Sequence, residues 1–587
     1  MNAVKLLREA GYSELACQFA AYIARQQQTE DPLVTLSAGL LSEAISDGHV
    51  CMNLHEALAT QPMFAAVIPE TSQWLMQLQR SEVVGSEGEF KPLVLTENGL
   101  LYLYRYWQDE QQVAKSVLQR AKAVEWPLDK PALQSFFANW NSQVPGIDWQ
   151  KVAVLSALRQ QLVVISGGPG TGKTTVVMNI LRALNVLEQT TEHPLRVALA
   201  APTGKAAARL QQAVNQGSEQ IYEAKTLHRL LGITARHDQG RYSADRPLPV
   251  DVLIVDEASM IDISLMALLL KSLPIHARLI LLGDAGQLAS VESGAVLASL
   301  CARSTGFSDG FRQLAFELTA IELAESSDKL PLQDCVIKLE HSYRFAAGGT
   351  VGQLVTAANQ GDAARLMDLL TEFDSWQSFS NEQLQRQLTE GYQDYISAVE
   401  SEKSVPECLS AFEQFRVLCA MRQGPQSVQA VNIMMERLLA RRGWRTSQPY
   451  YAGRPIMVTQ NDYRQQLFNG DVGMILADAS GELRAWFQFA GELRQVPLSR
   501  LPAHETVFAM TIHKSQGSEF DAILLLMPEE DNALLGRELV YTALSRARQS
   551  VSVMASANVL QWSLQRKLER QSGLERLINH PGEAVAR

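Results

Sequence analysis

Residues 162–175, LVVISGGPGTGKTT, constrain the fold more than any other stretch of this chain. They match the pattern G-x-x-x-x-G-K-[ST] through Gly167, Gly172, Lys173 and Thr174. The run LVVIS is short and apolar, as a buried parallel strand requires. Behind the glycines, Val176, Val177, Ile180, Leu181, Leu184 and Leu187 recur at helical spacing. The turn between strand and helix, through Gly167, Gly168, Pro169, Gly170, Thr171 and Gly172, can point its N–H groups inward. The positive end of the following helix adds to that field, so the loop is a phosphate cradle. Lys173 then reaches the β- and γ-phosphates of ATP, while Thr174, with Thr175 beside it, is placed to hold magnesium.

A chain of 587 residues has room for roughly three to five domains at about 100–200 residues each. Its six cysteines, at 17, 51, 301, 335, 408 and 419, include no C-x-x-C pair. That scatter reads as reduced thiols and argues against a zinc site or an iron–sulfur cluster. No apolar run approaches the ~18 residues of a membrane helix. The opening MNAVKLLREAGYSELACQF has no signal-peptide core, so a cytoplasmic protein is expected. A net charge of −11 runs against a uniformly basic nucleic-acid face but leaves room for a locally basic groove.

Residues 1–115 read as a helical segment without a catalytic pattern. Within it, Trp74, Tyr102, Tyr104 and Trp107 fit a core better than a docking surface. Residues 116–345 alternate apolar strands (LVVISG, RVALAAPT, VDVLIVDE, RLILLGD) with helices, the signature of a parallel α/β sheet. A second α/β block, 346–587, has FRVLCAM, AILLLM and VSVMAS as strands. Inside it, about 451–503, short strands separated by NGD, SGE and AGE turns predict a small inserted β-barrel.

The strand VDVLIV delivers Asp256 and Glu257 to a sheet edge. Asp256 is expected to hold magnesium, and Glu257 to orient and deprotonate an attacking water. Gln287, in LLGDAGQL, is placed to sense the γ-phosphate.

The ordered series GGPGTGKTT, APTGKAAARL, TLHRLLG, LIVDEAS, LLGDAGQL, HSYRF, TIHKSQGSEFD and YTALSRAR resembles the motifs of superfamily 1 DNA helicases, which have two RecA-like P-loop domains. WQKVAVLSAL, VDEASMID and IHKSQGSEFD make the chain similar to the RecD family, the α subunits of exonuclease V (RecBCD). The resemblance spans about residues 140–555, and a helical N-terminal domain with an SH3-like β-barrel insertion fits the same family. It implies an ATP-dependent 5′-to-3′ DNA helicase, the motor subunit of a helicase-nuclease that processes double-strand DNA ends for recombinational repair. Its partners would be single-stranded DNA, duplex ends, and RecB-like and RecC-like subunits of a heterotrimer, with no membrane. The nuclease is expected in a partner subunit, since no convincing D…E-x-K cluster stands in this chain.

The resemblance also implies residue roles. Gln150 would bond the adenine edge and Glu519 approach the ribose. Arg344 and Arg546 would reach the γ-phosphate from the facing side, with Arg548 as the competitor for Arg546. Pro202, Thr203, Lys205, Thr226, His228, Thr511, His513, Lys514 and Ser515 would grip the DNA backbone, and Tyr463 and Phe468 are candidates to stack on bases or pack in the core. A stand-alone RecD-like or Pif-like helicase, a nucleotide-binding regulatory scaffold and a switch ATPase remain alternatives.

Overall fold

The structure, a computed structural model, describes the chain except residues 1, 61, 65–66, 123–127, 141–143, 145, 189–193, 218–219, 235–236, 238–239, 303–305, 326–329, 346–348, 463, 490–491 and 581–587. Tyr463 therefore lies outside the described residues.

Two parallel sheets carry the fold. The first contains β1 (Leu162–Gly167), β2 (Val197–Ala201), β3 (Ala224–Thr226), β4 (Val252–Val255), β5 (Arg278–Gly283) and β6 (Val336–Leu339), in the order β6-β1-β5-β4-β2-β3. Every pairing is parallel. All six residues of β1 and of β5 are buried, because helices cover both faces of the sheet. The second contains β7 (Trp376–Gln377), β8 (Phe415–Cys419), β9 (Ala509–Thr511), β10 (Phe520–Leu526) and β11 (Ala547–Met554), in the order β7-β11-β10-β8-β9, again parallel. The first sheet faces the space between the two with the loops past the carboxyl ends of its strands, where open α/β sheets bind ligands, and the second with the segments that enter Phe520 and Ala547 at the amino ends of β10 and β11.

Four helices matter to the site: α1 (Lys173–Glu188), α2 (Gly204–Gln216), α3 (Leu227–Leu231) and α4 (Arg537–Leu544). Thr203 starts α2 by accepting from the Ala206 N–H, and Thr226 starts α3 by accepting from that of Arg229. Between β8 and β9 the chain runs off into a separate antiparallel sheet of Pro455–Val458, Val472–Ala477, Leu483–Phe489, Glu492–Pro497 and His504–Thr506. Its own small core is built on Ile456, Ile475, Phe487 and Val496.

The N-terminal region is helical, as its periodicity predicts, but four short strands from Met52 to Leu103 also form a sheet beside the helices. Trp74 is fully buried with its indole N–H on Ser37 Oγ at 2.8 Å, and Tyr102 is buried too, so both are core residues. Tyr104 and Trp107 are half-buried against one another. The end of the chain departs from a second block running unbroken to 587. The Arg570 guanidinium donates to the Gly294 carbonyl at 2.9 Å, and the Gln571 carbonyl accepts from the Val50 N–H at 2.9 Å. The helix Leu574–Asn579 buries Leu574 and Ile578 in the core beneath the first sheet. Burial of those two side chains draws the segment home to the first half of the molecule.

Candidate functional site: a phosphate cleft between two sheets

The glycine-rich turn is tight for steric reasons. Gly170 and Gly172 have φ of +72° and +80°, the left-handed region that glycine enters without penalty. A Cβ on Gly170 would strike Arg344, and one on Gly172 would strike the Gln150 amide. Lys173 folds back over the turn, donating to the carbonyls of Gly167 at 2.7 Å and Gly168 at 3.1 Å. Its ammonium thus sits over the cradle, where a phosphate would replace carbonyls as its partner.

Around this turn opens a cleft of about 410 Å³, within the size range of ligand pockets. Pro169, Thr171, Thr174 and Thr175 from the loop and α1, Asp256 and Glu257 beyond β4, and Gln287 beyond β5 form one wall. Arg344 closes it from beyond β6, and Glu519 and Arg546 from the second sheet. Residues far apart in sequence are therefore gathered around one space.

The electrostatics are those of a site made for a polyanion and a cation. Burial, and then repulsion from Glu257, raise the Asp256 carboxyl to about 6, with Lys173 pulling the other way. Glu257 adopts left-handed backbone at φ +53° and ψ +38°, rare for a residue with a side chain, and donates its N–H to Asp256 Oδ1 at 2.9 Å. The Gln287 carbamoyl oxygen is buried without a hydrogen-bond partner, while its Nε2 donates to Asp284 Oδ2 at 3.0 Å. A polar atom left orphaned at a cleft wall fits a site that a ligand or its water completes. The Thr174 hydroxyl and the crowded acids Asp256 and Glu257 likewise fit a magnesium ion accompanying a triphosphate.

Two expected ligand contacts are otherwise engaged. Gln150 spends its amide nitrogen on the Thr171 carbonyl at 3.0 Å, bracing the phosphate loop from below instead of presenting that donor to a base. Glu519 meets three guanidiniums: Arg209 at 2.5 Å, Arg344 at 2.5 Å and Arg548 at 3.2 Å. Burial alone would raise its carboxyl, yet Arg209 and Arg344 hold it down at about 2. Arg209 was missed by sequence reasoning; in APTGKAAARL it stands four residues after Lys205, on the same helix face, and that spacing was the available signal. Arg546 is buried, with Nε on the Thr542 carbonyl at 3.1 Å and Nη2 on Ser545 Oγ at 3.0 Å, while Arg548 is exposed and bonded to Glu519.

The expected DNA contacts fall into two groups, one past β2 and β3 of the first sheet and one at the end of β9 in the second. Ala201 pairs with Thr226, so Pro202–Thr203 and Thr226–His228 leave adjacent strand ends together. His228 is exposed, whereas the Thr203 and Thr226 hydroxyls serve as helix caps. Lys205 bridges to the second half by donating to Ser518 Oγ at 2.8 Å. Burial pushes its amine down to about 8. Thr511, His513 and Lys514 are half-buried at the end of β9, with Lys514 paired to Glu505 at 2.7 Å. Ser515 corrects the expectation: it is fully buried, and its hydroxyl turns inward to the Ile512 carbonyl at 2.7 Å, closing a helical turn. Phe468 lies against Gly204, where a Cβ would come within 2.7 Å of its own Cβ, on the wall of a groove between α2, α3 and the inserted sheet.

Comparisons with known proteins agree with this layout. Residues 9–102 match the family described as RecBCD enzyme subunit RecD, N-terminal domain; residues 150–293 match an AAA domain, and residues 506–554 a UvrD-like helicase C-terminal domain. RecBCD enzyme subunit RecD of Haemophilus influenzae is 35% identical over 530 residues, covering 82% of this chain and 80% of the relative. That of Mycolicibacterium smegmatis is 36% identical over 573 residues, covering 94% and 95%. The ATP-dependent RecD2 DNA helicase of Deinococcus radiodurans is 31% identical, covering 74% of this chain and 53% of the relative. With strand-end loops of two parallel sheets converging on one phosphate cleft, and relatives alike over 80% and 95% of their length, the chain belongs to the RecD family of ATP-dependent DNA helicases.

Proposed function

We propose that this chain is the 5′-to-3′ motor subunit of a helicase-nuclease complex with RecB-like and RecC-like partners, working on single-stranded DNA at duplex ends. The observation that carries the motor reading is the composition of the cleft, in which Lys173, Asp256, Glu257 and Gln287 of the first sheet face Arg546 of the second. A site shared by two bodies is completed only when they close, so hydrolysis and domain movement are one event. Residues 116–345 and 346–587 are the two motor bodies in this reading, with 451–503 inserted and 1–115 reserved for partner docking.

In the hydrolytic step, the backbone cradle of residues 167–172 and Lys173 fix the phosphates of ATP. Glu257 takes a proton from the attacking water, whose oxygen bonds to the γ-phosphorus as the bond to the bridging oxygen breaks and ADP leaves. Thr174 and Asp256 would hold magnesium, which would supply charge neutralisation for the triphosphate. Arg344 and Arg546 stabilise the charge spreading over the γ-phosphoryl group. Lys205, Thr203, His228, Thr511, His513 and Lys514 hold the strand by its phosphates, which makes binding independent of sequence.

Co-purification from cells, followed by unwinding of duplexes with a 5′ or a 3′ single-stranded tail, tests this reading. The expected result is assembly with two partner subunits and unwinding from the 5′-tailed substrate. Preference for the 3′ tail would overturn the polarity, and full unwinding by the isolated chain would favour a stand-alone helicase.

A further inference from the structure

The loop beyond β5 is bonded to the second half of the molecule at three places. Asp284 Oδ2 accepts from the Tyr541 hydroxyl at 2.8 Å. The Leu288 N–H donates to Thr542 Oγ1 at 2.9 Å, and the Leu288 carbonyl accepts from Gln516 Nε2 at 2.8 Å. Asp284 is also the residue that orients Gln287, since the same Oδ2 takes the Gln287 amide N–H at 3.0 Å. A carboxylate only accepts, so this bond dictates which end of the amide Gln287 turns toward Asp284 and leaves its orphaned oxygen at the cleft.

On the other side, Tyr541 and Thr542 are consecutive on α4, and the Thr542 carbonyl anchors Arg546 Nε at 3.1 Å. A helix moves as a unit, so the tyrosine hydroxyl and the arginine anchor cannot shift independently. Tyr541 is 2% exposed and wedged between two glycines. A Cβ on Gly168 would come within 3.1 Å of its hydroxyl, and one on Gly286 within 3.3 Å of its ring. Burial and the neighbouring Asp284 keep the phenol protonated, a permanent donor.

We propose that Tyr541 is a positioning residue that ties helix α4, whose Thr542 carbonyl anchors Arg546, to Asp284, so that Gln287 and Arg546 reach the γ-phosphate region together. Tyr541 touches no reacting atom in this scheme. It makes the orientation of a residue on one wall depend on the position of the other wall. The proposal rests on the assignment of Gln287 and Arg546 to hydrolysis, and its test separates the two.

Tyr541→Phe keeps the ring and its packing and deletes one hydroxyl. Single-stranded-DNA-stimulated ATPase, KM for ATP, equilibrium affinity for a non-hydrolysable ATP analogue and the thermal midpoint are measured for Tyr541→Phe, Asp284→Ala, the double variant, Gln287→Ala and Arg546→Ala. Tyr541→Phe should lower kcat by about tenfold or more, as lost supporting hydrogen bonds do elsewhere, with KM, analogue affinity and thermal midpoint near the parental values. The double variant should be no worse than the poorer single, because both remove the same bond. Parental kcat in Tyr541→Phe, or losses that multiply in the double variant, would overturn the proposal while leaving the hydrolytic cleft intact. Parental rates in Gln287→Ala and Arg546→Ala would instead sink the assignment beneath it. If Tyr541→Phe does not fold, Asp284→Ala gives the same reading from the other wall: a kcat loss at parental affinity supports the tie, and a parental kcat overturns it.

Discussion

Arg344, just past β6 of the first sheet, donates to Glu519, just ahead of β10 of the second, at 2.5 Å. Arg209 reaches the same carboxylate oxygen at 2.5 Å from α2. One half-buried carboxylate therefore pairs with two guanidiniums that line the phosphate cleft and ties its two walls together. A triphosphate entering the cleft competes with Glu519 for those cations.

Glu519→Gln should leave Arg209 and Arg344 without a counter-charge and so raise equilibrium affinity for ATP, by about two- to tenfold, since the latched state no longer taxes binding. The ribose role inferred from family resemblance predicts the opposite sign. Weaker binding, with discrimination against 2′-deoxy-ATP lost, would restore that role.

Lys173→Ala and Glu257→Gln should both stop DNA-dependent hydrolysis and differ in binding. The lysine variant loses the ammonium that grips the phosphates, so nucleotide affinity falls. The glutamine variant keeps the cradle and loses the base, costing about 10²–10⁴ in turnover while ATP stays bound. Filter binding of radiolabelled ATP beside steady-state hydrolysis checks both; parental turnover in Glu257→Gln would refute its assignment.

Asp256 should cost the empty protein stability. Its carboxyl titrates at about 6 in the folded chain, above the unfolded value of about 3.9. The folded state therefore holds the proton more tightly, and ionisation penalises it increasingly from about pH 4 to about pH 6, then by a constant amount. Asp256→Asn removes the penalty and should stabilise the nucleotide-free protein near pH 7 by about 1–3 kcal/mol. The gain should vanish toward pH 4, and hydrolysis should be lost. Denaturant titration at the two pH values decides the point; a destabilised variant at pH 7 contradicts it.

The contribution of Lys205 to single-stranded DNA binding should depend on pH with a definite sign. Burial lowers its amine to about 8, so the charge is present below that value and lost above it. The affinity ratio of parent to Lys205→Ala, measured by fluorescence anisotropy, should be largest near pH 7 and shrink by pH 9. Raising salt should weaken both proteins and Lys205→Ala with a shallower slope, one phosphate contact having gone. A ratio that grows with pH would exclude the charge as its cause.

The long buried strands were legible because each is an uninterrupted apolar run ending in a chemical cluster, as in LVVISG and VDVLIVDE. Short strands such as Ala224–Thr226 and Trp376–Gln377 carry no such run and are strands only because a neighbour pairs with them. The cleft's membership followed from motif order. Its internal bonding did not, because Asp284–Tyr541 and Arg209–Glu519 join residues 257 and 310 positions apart, and spacing is silent at that range. The return of Arg570–Ile578 to the first half was hidden likewise, since an amphipathic helix does not say which core it caps. Ser515 was misplaced because a serine that closes its own helical turn reads in sequence like one that meets a phosphate.

The central claim, that the second sheet completes hydrolysis across the cleft, turns on Arg546. Single-turnover hydrolysis with saturating single-stranded DNA, beside equilibrium ATP binding, should be measured for Arg546→Ala, Arg546→Lys and Arg548→Ala. Arg546→Ala should cut hydrolysis by about 10³-fold or more, in line with other arginine fingers, with affinity changed much less. Arg546→Lys should recover little, because an ammonium lacks the planar fork, and Arg548→Ala should do less harm. Near-parental hydrolysis in Arg546→Ala and Arg548→Ala alike would contradict the two-sheet motor.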